Sequence, residues 1–157
     1  ELGVDELLAS WGEDLDDPAH EVVKVVLTEL DVGLTAQSEA HVEALLRELA
    51  LVSCSDACSP EIRLVAERVL LAASGMEELR NEVKQQLSRA VADGCAQLDV
   101  VLRVTRVDAE TVRTFALAVD DADRLSRTGV LLTEPAPHAL SDHRARYLRR
   151  LIGQLSD

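Results

Sequence analysis

Aromatic residues are nearly missing from this chain: Trp11, Phe115 and Tyr147 are the only three among 157 positions. The core must then be built from Leu, Val and Ala. The aromatic faces that cage cations or stack on bases are correspondingly scarce. Positive charge is scarce too, with 16 basic residues against 29 acidic ones and a net charge of −13. A surface of that sign repels phosphate backbones, so no nucleic-acid partner is expected. No apolar run approaches the roughly 20 residues of a membrane-spanning helix. A soluble, cytoplasmic protein without a membrane partner is therefore expected. Asparagine occurs once (Asn81) and lysine twice against fourteen arginines, the codon bias of a GC-rich bacterium.

Cysteine is limited to Cys54, Cys58 and Cys95. An odd, low count with no signal peptide reads as reduced cytoplasmic thiols. The Cys54-x3-Cys58 spacing admits a zinc pair or a redox pair. Nothing marks a further ligand, however, and loop or core thiols are the preferred reading, with no metal and no cofactor. The chain opens at Glu1 without an initiator Met or an apolar signal core, and reads as a trimmed chain or as a fragment of a longer protein.

What is present is a chain that folds. Hydrophobic residues make up 47%, too many for disorder, and the length fits a single domain over 1–157. The charge is uneven. Residues 138–157 hold four arginines and two aspartates, a net +2, which leaves −15 on residues 1–137.

Residues 1–20 carry a short apolar stripe (Leu2, Val4, Leu7, Leu8, Trp11) that ends in an acidic segment, and predict one short helix or turn. Residues 22–28 and 97–105 alternate with β-branched residues and predict strands. Asp31-Val32-Gly33 reads as a turn, with Thr35 capping a helix of 16–18 residues. Ser59 and Pro60 open a second helix, and its face is Ile62, Val65, Ala66, Val69, Leu70 and Ala73. Ser74-Gly75-Met76-Glu77 has the capping-box pattern of a third, whose face is Leu79, Val83, Leu87, Ala90 and Val91, with Gly94 beyond its end. Asp108 caps a fourth, ended by Gly129. Residues 131–137 are held extended by Pro135 and Pro137, and a last helix runs from about Ser141. Val25-Val26-Leu27 followed by Val32 resembles Val100-Val101-Leu102 followed by Val107, a weak internal duplication. Parallel strands would need long crossovers, and two strands make a thin sheet. The expected fold is α+β and mainly helical, with five or six helices around a sheet of two strands or slightly more.

Catalytic signatures are lacking. No G-x-S-x-G, P-loop or G-x-G-x-x-G occurs, and His20, His41, His138 and His143 are scattered. Asp120, Asp121 and Asp123 read as a solvated helix face. No catalytic residue is assigned, and a small enzyme with an acidic pocket ranks only as a remote alternative.

Two stretches carry a resemblance. One is Val25-Val26-Leu27 with Val32, Leu34, His41 and Leu45-Leu46-Arg47-Glu48-Leu49. The other is Asp120-Asp121-Ala122-Asp123 with Arg127, Gly129, Leu131-Leu132-Thr133, Pro135, Pro137, Arg144 and Tyr147-Leu148. Together, over most of 22–155, they resemble the region that follows the histidine-kinase-like ATPase domain in actinobacterial ATP-binding proteins of the anti-sigma regulatory type. The ATP-binding boxes themselves are absent, with no D-x-G-x-G and no asparagine-bearing box, so ATP binding and kinase activity do not carry over. The resemblance implies a regulatory or sensory role in signalling. It places His41, Arg47, Glu48, Asp123, Arg127, Arg144 and Tyr147 at matching positions without assigning them roles. Arg146, Arg149 and Arg150 join them as partner- or ligand-binding candidates because they give the last helix its charge. The expected partner is a protein or an attached signalling domain, with a small ligand second. A structural or dimerisation domain, possible as a homodimer, is the alternative. Arg144 and Arg127 are expected to be tied internally near Asp123 and Pro135–Pro137, leaving Arg146, Arg149 and Arg150 exposed.

Overall fold

The computed structural model describes residues 21–105 and 108–157. The element expected over 1–20 and Val107 of the duplication lie outside the described residues. The two alternating segments are the two strands of one antiparallel sheet, β1 (Val22–Asp31) and β2 (Gln97–Thr105). Five helices complete the described chain: α1 (Val32–Ser53), α2 (Pro60–Gly75), α3 (Glu77–Ala92), α4 (Ala109–Arg127) and α5 (His138–Leu155). All seven elements contribute to one aliphatic core, among them Val25, Leu45, Val69, Leu79, Val100, Val112 and Leu151.

The strands pair through Val25↔Leu102, Val26↔Val101 and Leu27↔Val100, so the duplicated triplets lie opposite each other. The register shifts between Leu27 and Leu30, where Thr28 and Glu29 face Asp99 alone. This bulge is what lets Leu27 and Leu30, three residues apart, both enter the core. Glu29 takes the left-handed backbone (φ 55°) to achieve it, and its N–H bonds Asp99 Oδ1 at 2.8 Å.

A two-stranded sheet has two open edges, which expose unpaired backbone groups. Here one glutamine pairs with a single residue on each edge. Gln154 of α5 accepts from Val26 N–H (2.8 Å) and donates to Val26 O (2.6 Å). Gln86 of α3 accepts from Val101 N–H (2.9 Å) and donates to Val101 O. Val26 and Val101 are cross-strand partners whose backbone groups turn outward, so the two amides bracket a single residue pair.

The duplication extends to the helices. β1 leads into α1 and β2 into α4; α2 packs on α1 and α5 on α4; α3 covers β2 while α5 covers β1. Asp31 and Asp108 each cap the helix after their strand, accepting from Leu34 N–H (2.8 Å) and Thr111 N–H (2.7 Å).

Several local expectations need correction. Asp31, not Thr35, is the first cap, and Val32-Gly33 are already helical, so α1 is 22 residues long. Thr35 is buried inside the first turns and donates its hydroxyl to Asp31 O (2.6 Å). The capping box at Ser74 does not form. Ser74 and Gly75 are still helical, α2 and α3 are separated by Met76 alone, and no side chain caps α3. Buried Met76 bridges the two instead, its N–H on Ala73 O and its carbonyl accepting from Arg80 N–H. Val91 is exposed rather than inward. α5 starts at His138, directly after Pro137, three residues before Ser141. Ser59, Asp108, Gly94 and Gly129 stand where expected, the two glycines with positive φ just past helix ends.

Candidate functional site on the last helix

Pro135 and Pro137 keep residues 131–137 out of any ladder, so their backbone N–H groups need other acceptors. Glu48 of α1 supplies them to Leu132 and Thr133, and it also accepts from Thr133 Oγ1 (2.6 Å). Burial disfavours the Glu48 carboxylate, but the Thr133 hydroxyl and the two N–H groups outweigh it and hold the carboxyl below its usual range. Asp123 of α4 does not share the solvated face expected of Asp120, Asp121 and Asp123: it is buried, because Oδ1 accepts from Ala136 N–H (2.7 Å) and Oδ2 takes Arg127 Nη2 (3.0 Å). His41 Nε2 lies 2.9 Å from Glu134 O and 3.7 Å from Asp123 Oδ1. A carbonyl only accepts, so that nitrogen carries a proton. Four sequence-selected residues thus meet in one latch over the 131–137 segment. Its carboxylates are occupied by backbone donors.

Arg47 is exposed on α1, takes no part in this latch, and has no bonded partner among the described residues. The other candidates lie on α5. Tyr147 is buried, and burial pushes its phenol above the usual range. Arg146, Arg149 and Arg150 face solvent. Arg150 Nη2 donates to Thr28 Oγ1 (3.1 Å); Arg146 and Arg149 bond no carboxylate among the described residues. Beside Arg146 and Arg150 a groove of about 270 Å³ runs along Glu29, Asp31 and Leu34. Buried His143 closes its floor, with Nε2 3.0 Å from Thr35 Oγ1. The Thr35 proton already goes to Asp31 O, so His143 Nε2–H must be the donor. Burial holds His143 below the ordinary histidine range; Asp31 opposes this and Arg146 reinforces it.

Arg144 departs from expectation. It is buried, only 4% exposed, yet forms no ion pair with Asp123 or with any other carboxylate among the described residues, and its Nη1 has no hydrogen-bond partner. Burial works against its charge, while Asp120, Asp123 and Glu39 support it from beyond bonding distance. Asp123 instead directs Oδ1 to Ala136 N–H and Oδ2 to Arg127. Arg144 lines a cleft of about 220 Å³ between α4 and α5, together with Asp120, Ser141 and Arg149.

Sequence reading passed over Arg80. It is buried on α3, 3.4 Å from Glu39 and 3.2 Å from Glu43, over the Phe115 ring. The available signal was an arginine beside Leu79 on the apolar face of α3. Ser141, His143, Gln86 and Gln154 carried no such mark. Cys54 and Cys95 are exposed and, like Cys58, free. Among the described residues, no group of three or more His, Cys, Asp or Glu is arranged to hold a metal ion, and no helix is long and apolar enough to cross a membrane. No family model, curated protein or solved structure matches the chain.

Proposed function

We propose that this chain is a non-enzymatic regulatory or sensory module of a bacterial signalling protein, which docks an acidic segment of a partner protein on the arginine face of α5. The observation that carries this reading is the solvent-facing set Arg146, Arg149 and Arg150 in a chain of net charge −13. Guanidinium groups pair bidentately with carboxylates and are favoured at interfaces. An acidic body beneath a basic face also orients an approaching acidic partner. The resemblance to the region after an anti-sigma-type ATPase domain supports a signalling context.

The test compares affinity capture from cells of the source organism by the wild type and by the triple variant Arg146→Glu/Arg149→Glu/Arg150→Glu, read by mass spectrometry. A partner held by the wild type at low salt, and lost by the variant, is expected. Identical captured sets would overturn the reading.

One observation favours self-association instead. Leu64, Leu71 and Leu117 are exposed on α2 and α4, which pack together. A wild type that sediments as a dimer, and becomes monomeric with Leu71→Glu, would favour that second reading.

A further inference from the structure

Two residues that line the cleft between α4 and α5 each carry a buried polar atom without a partner. Arg144 is buried, lines the cleft, and has no partner at Nη1; Ser141, one turn earlier on α5, has a buried hydroxyl with no partner. A buried guanidinium without a bonded counter-charge is costly, and natural interiors rarely keep one. No described carboxylate bonds it: Asp120, Asp123 and Glu39 support its charge only from beyond bonding distance. An acceptor brought from outside would satisfy Arg144 and Ser141 together. A carboxylate, with two oxygens, suits a guanidinium and a hydroxyl side by side.

The rest of the lining narrows the ligand. Asp120 on the α4 wall offers a negative group, which a simple anion would avoid and an ammonium would seek. Ala116, Ala145, Leu148 and Ile152 supply an apolar surface. The volume, about 220 Å³, lies below the range that takes drug-sized ligands. We propose that this cleft binds a small aliphatic α-amino acid. Its carboxylate would meet Arg144 and Ser141, its ammonium Asp120, and its side chain Leu148 and Ile152. Arg149 lines the cleft and also belongs to the arginine face, so occupancy of the cleft reaches the surface assigned above to a partner. The proposal does not depend on that partner, and its tests leave Arg146 and Arg150 untouched.

The experiment is titration of the full chain, by calorimetry and thermal shift, with four probes: L-valine, 3-methylbutanoate, N-acetyl-L-valine and inorganic phosphate, each up to about 10 mM. Saturable stabilisation by valine is expected, with binding of 3-methylbutanoate and N-acetylvaline weaker by about tenfold, one lost charge-assisted bond. Asp120→Asn should remove valine's advantage over 3-methylbutanoate. Ser141→Ala and Arg144→Gln should each weaken valine by tenfold or more; should Arg144→Gln fail to fold, Ser141→Ala decides alone. No saturable response to valine would mean that the cleft holds only water, and would overturn the proposal. So would a response to phosphate in place of valine, or valine binding unchanged by Ser141→Ala.

Discussion

At the residue scale, the polar candidates divide into groups spent on the fold and groups left over. Glu48 is spent. Its three hydrogen bonds anchor a segment that prolines bar from regular structure, so Glu48→Ala should lower stability by about 1–3 kcal/mol in urea unfolding. Glu48→Gln should lose less, since an amide oxygen still accepts. Because the folded pKa of Glu48 is depressed, its contribution is present above about pH 4.5 and is lost as pH falls through the folded value. His143 gives an earlier acid window. Its folded pKa is also depressed, so the neutral form is favoured, and stability declines as pH drops from about 6.5 through the folded value. His143→Gln keeps an N–H donor for Thr35 without titrating. Unfolding midpoints at pH 7.5 and pH 5 should fall further for wild type than for this variant. Equal falls would show that His143 is not the titrating group. Burial raises Glu39 and acts with the opposite sign, but it is common to both proteins and cancels in the comparison. Of the candidate site, the exposed arginines and the positions of His41, Glu48 and Arg127 were legible from the sequence, whereas the burial of Asp123, beside two solvated-looking aspartates, was not. The unpaired state of Arg144 was not legible either, because it depends on the distances from α5 to Asp120, Asp123 and Glu39 in the packed fold.

At the scale of elements, periodicity was a good guide and local cap chemistry a mixed one. Alternation located both strands, and apolar spacing located all five helices. The sequence order Ser59-Pro60 and the lone Asp108 were read correctly because nothing competed with them. Around Asp31 two caps competed: Asp31 and Thr35 are both good N-cap residues. The one adjoining the strand won, because Val32 N–H still bonds Ala96 O and the chain must turn there. The S-x-x-E pattern at Ser74 failed because burying Met76 keeps α2 helical through Gly75. No sequence rule pointed to the two glutamine staples, since a Gln on a helix face is ordinarily solvated. They are the elements' most exposed dependency. Gln154→Ala or Gln86→Ala removes two backbone bonds and opens a sheet edge, at a cost of about 1–2 kcal/mol each. Gln154→Glu should be no better than the alanine variant, because its carboxylate accepts from Val26 N–H but faces Val26 O without a donor. Both staples act on one residue pair, so the double alanine variant should depart from additivity in denaturant unfolding. Full additivity would mean that the two edges are energetically separate.

At the scale of the whole molecule, the weak repeat seen in Val25-Val26-Leu27 and Val100-Val101-Leu102 becomes an interlocked pair of halves. The first half runs through β1, α1, α2 and α3, the second through β2, α4 and α5. Neither strand is covered by the close of its own half: α3 ends the first half and staples β2, and α5 ends the second and staples β1. The latch repeats the exchange, with Glu48 and His41 of the first half holding residues 131–137 of the second. Among the described residues, each half alone would therefore keep a single strand with no partner, and a single strand is not stable in water. It would also lose the other half's share of the common core, and the second half has a chain length where folding alone is already marginal. The exposed turn around Gly94 lies between the halves, so the chain can be divided there without cutting an element. Fragments 1–94 and 95–157 should each give non-cooperative thermal traces by circular dichroism. Mixed at equal concentration, they should recover helicity and a cooperative transition whose midpoint rises with concentration, as expected of a bimolecular complex. The Gln154→Ala change, carried on the second fragment, should weaken that complementation although it leaves the fragment's own composition almost unchanged. Cooperative unfolding of either fragment alone, near the midpoint of the intact chain, would show instead that the halves are independent units joined by a thin sheet.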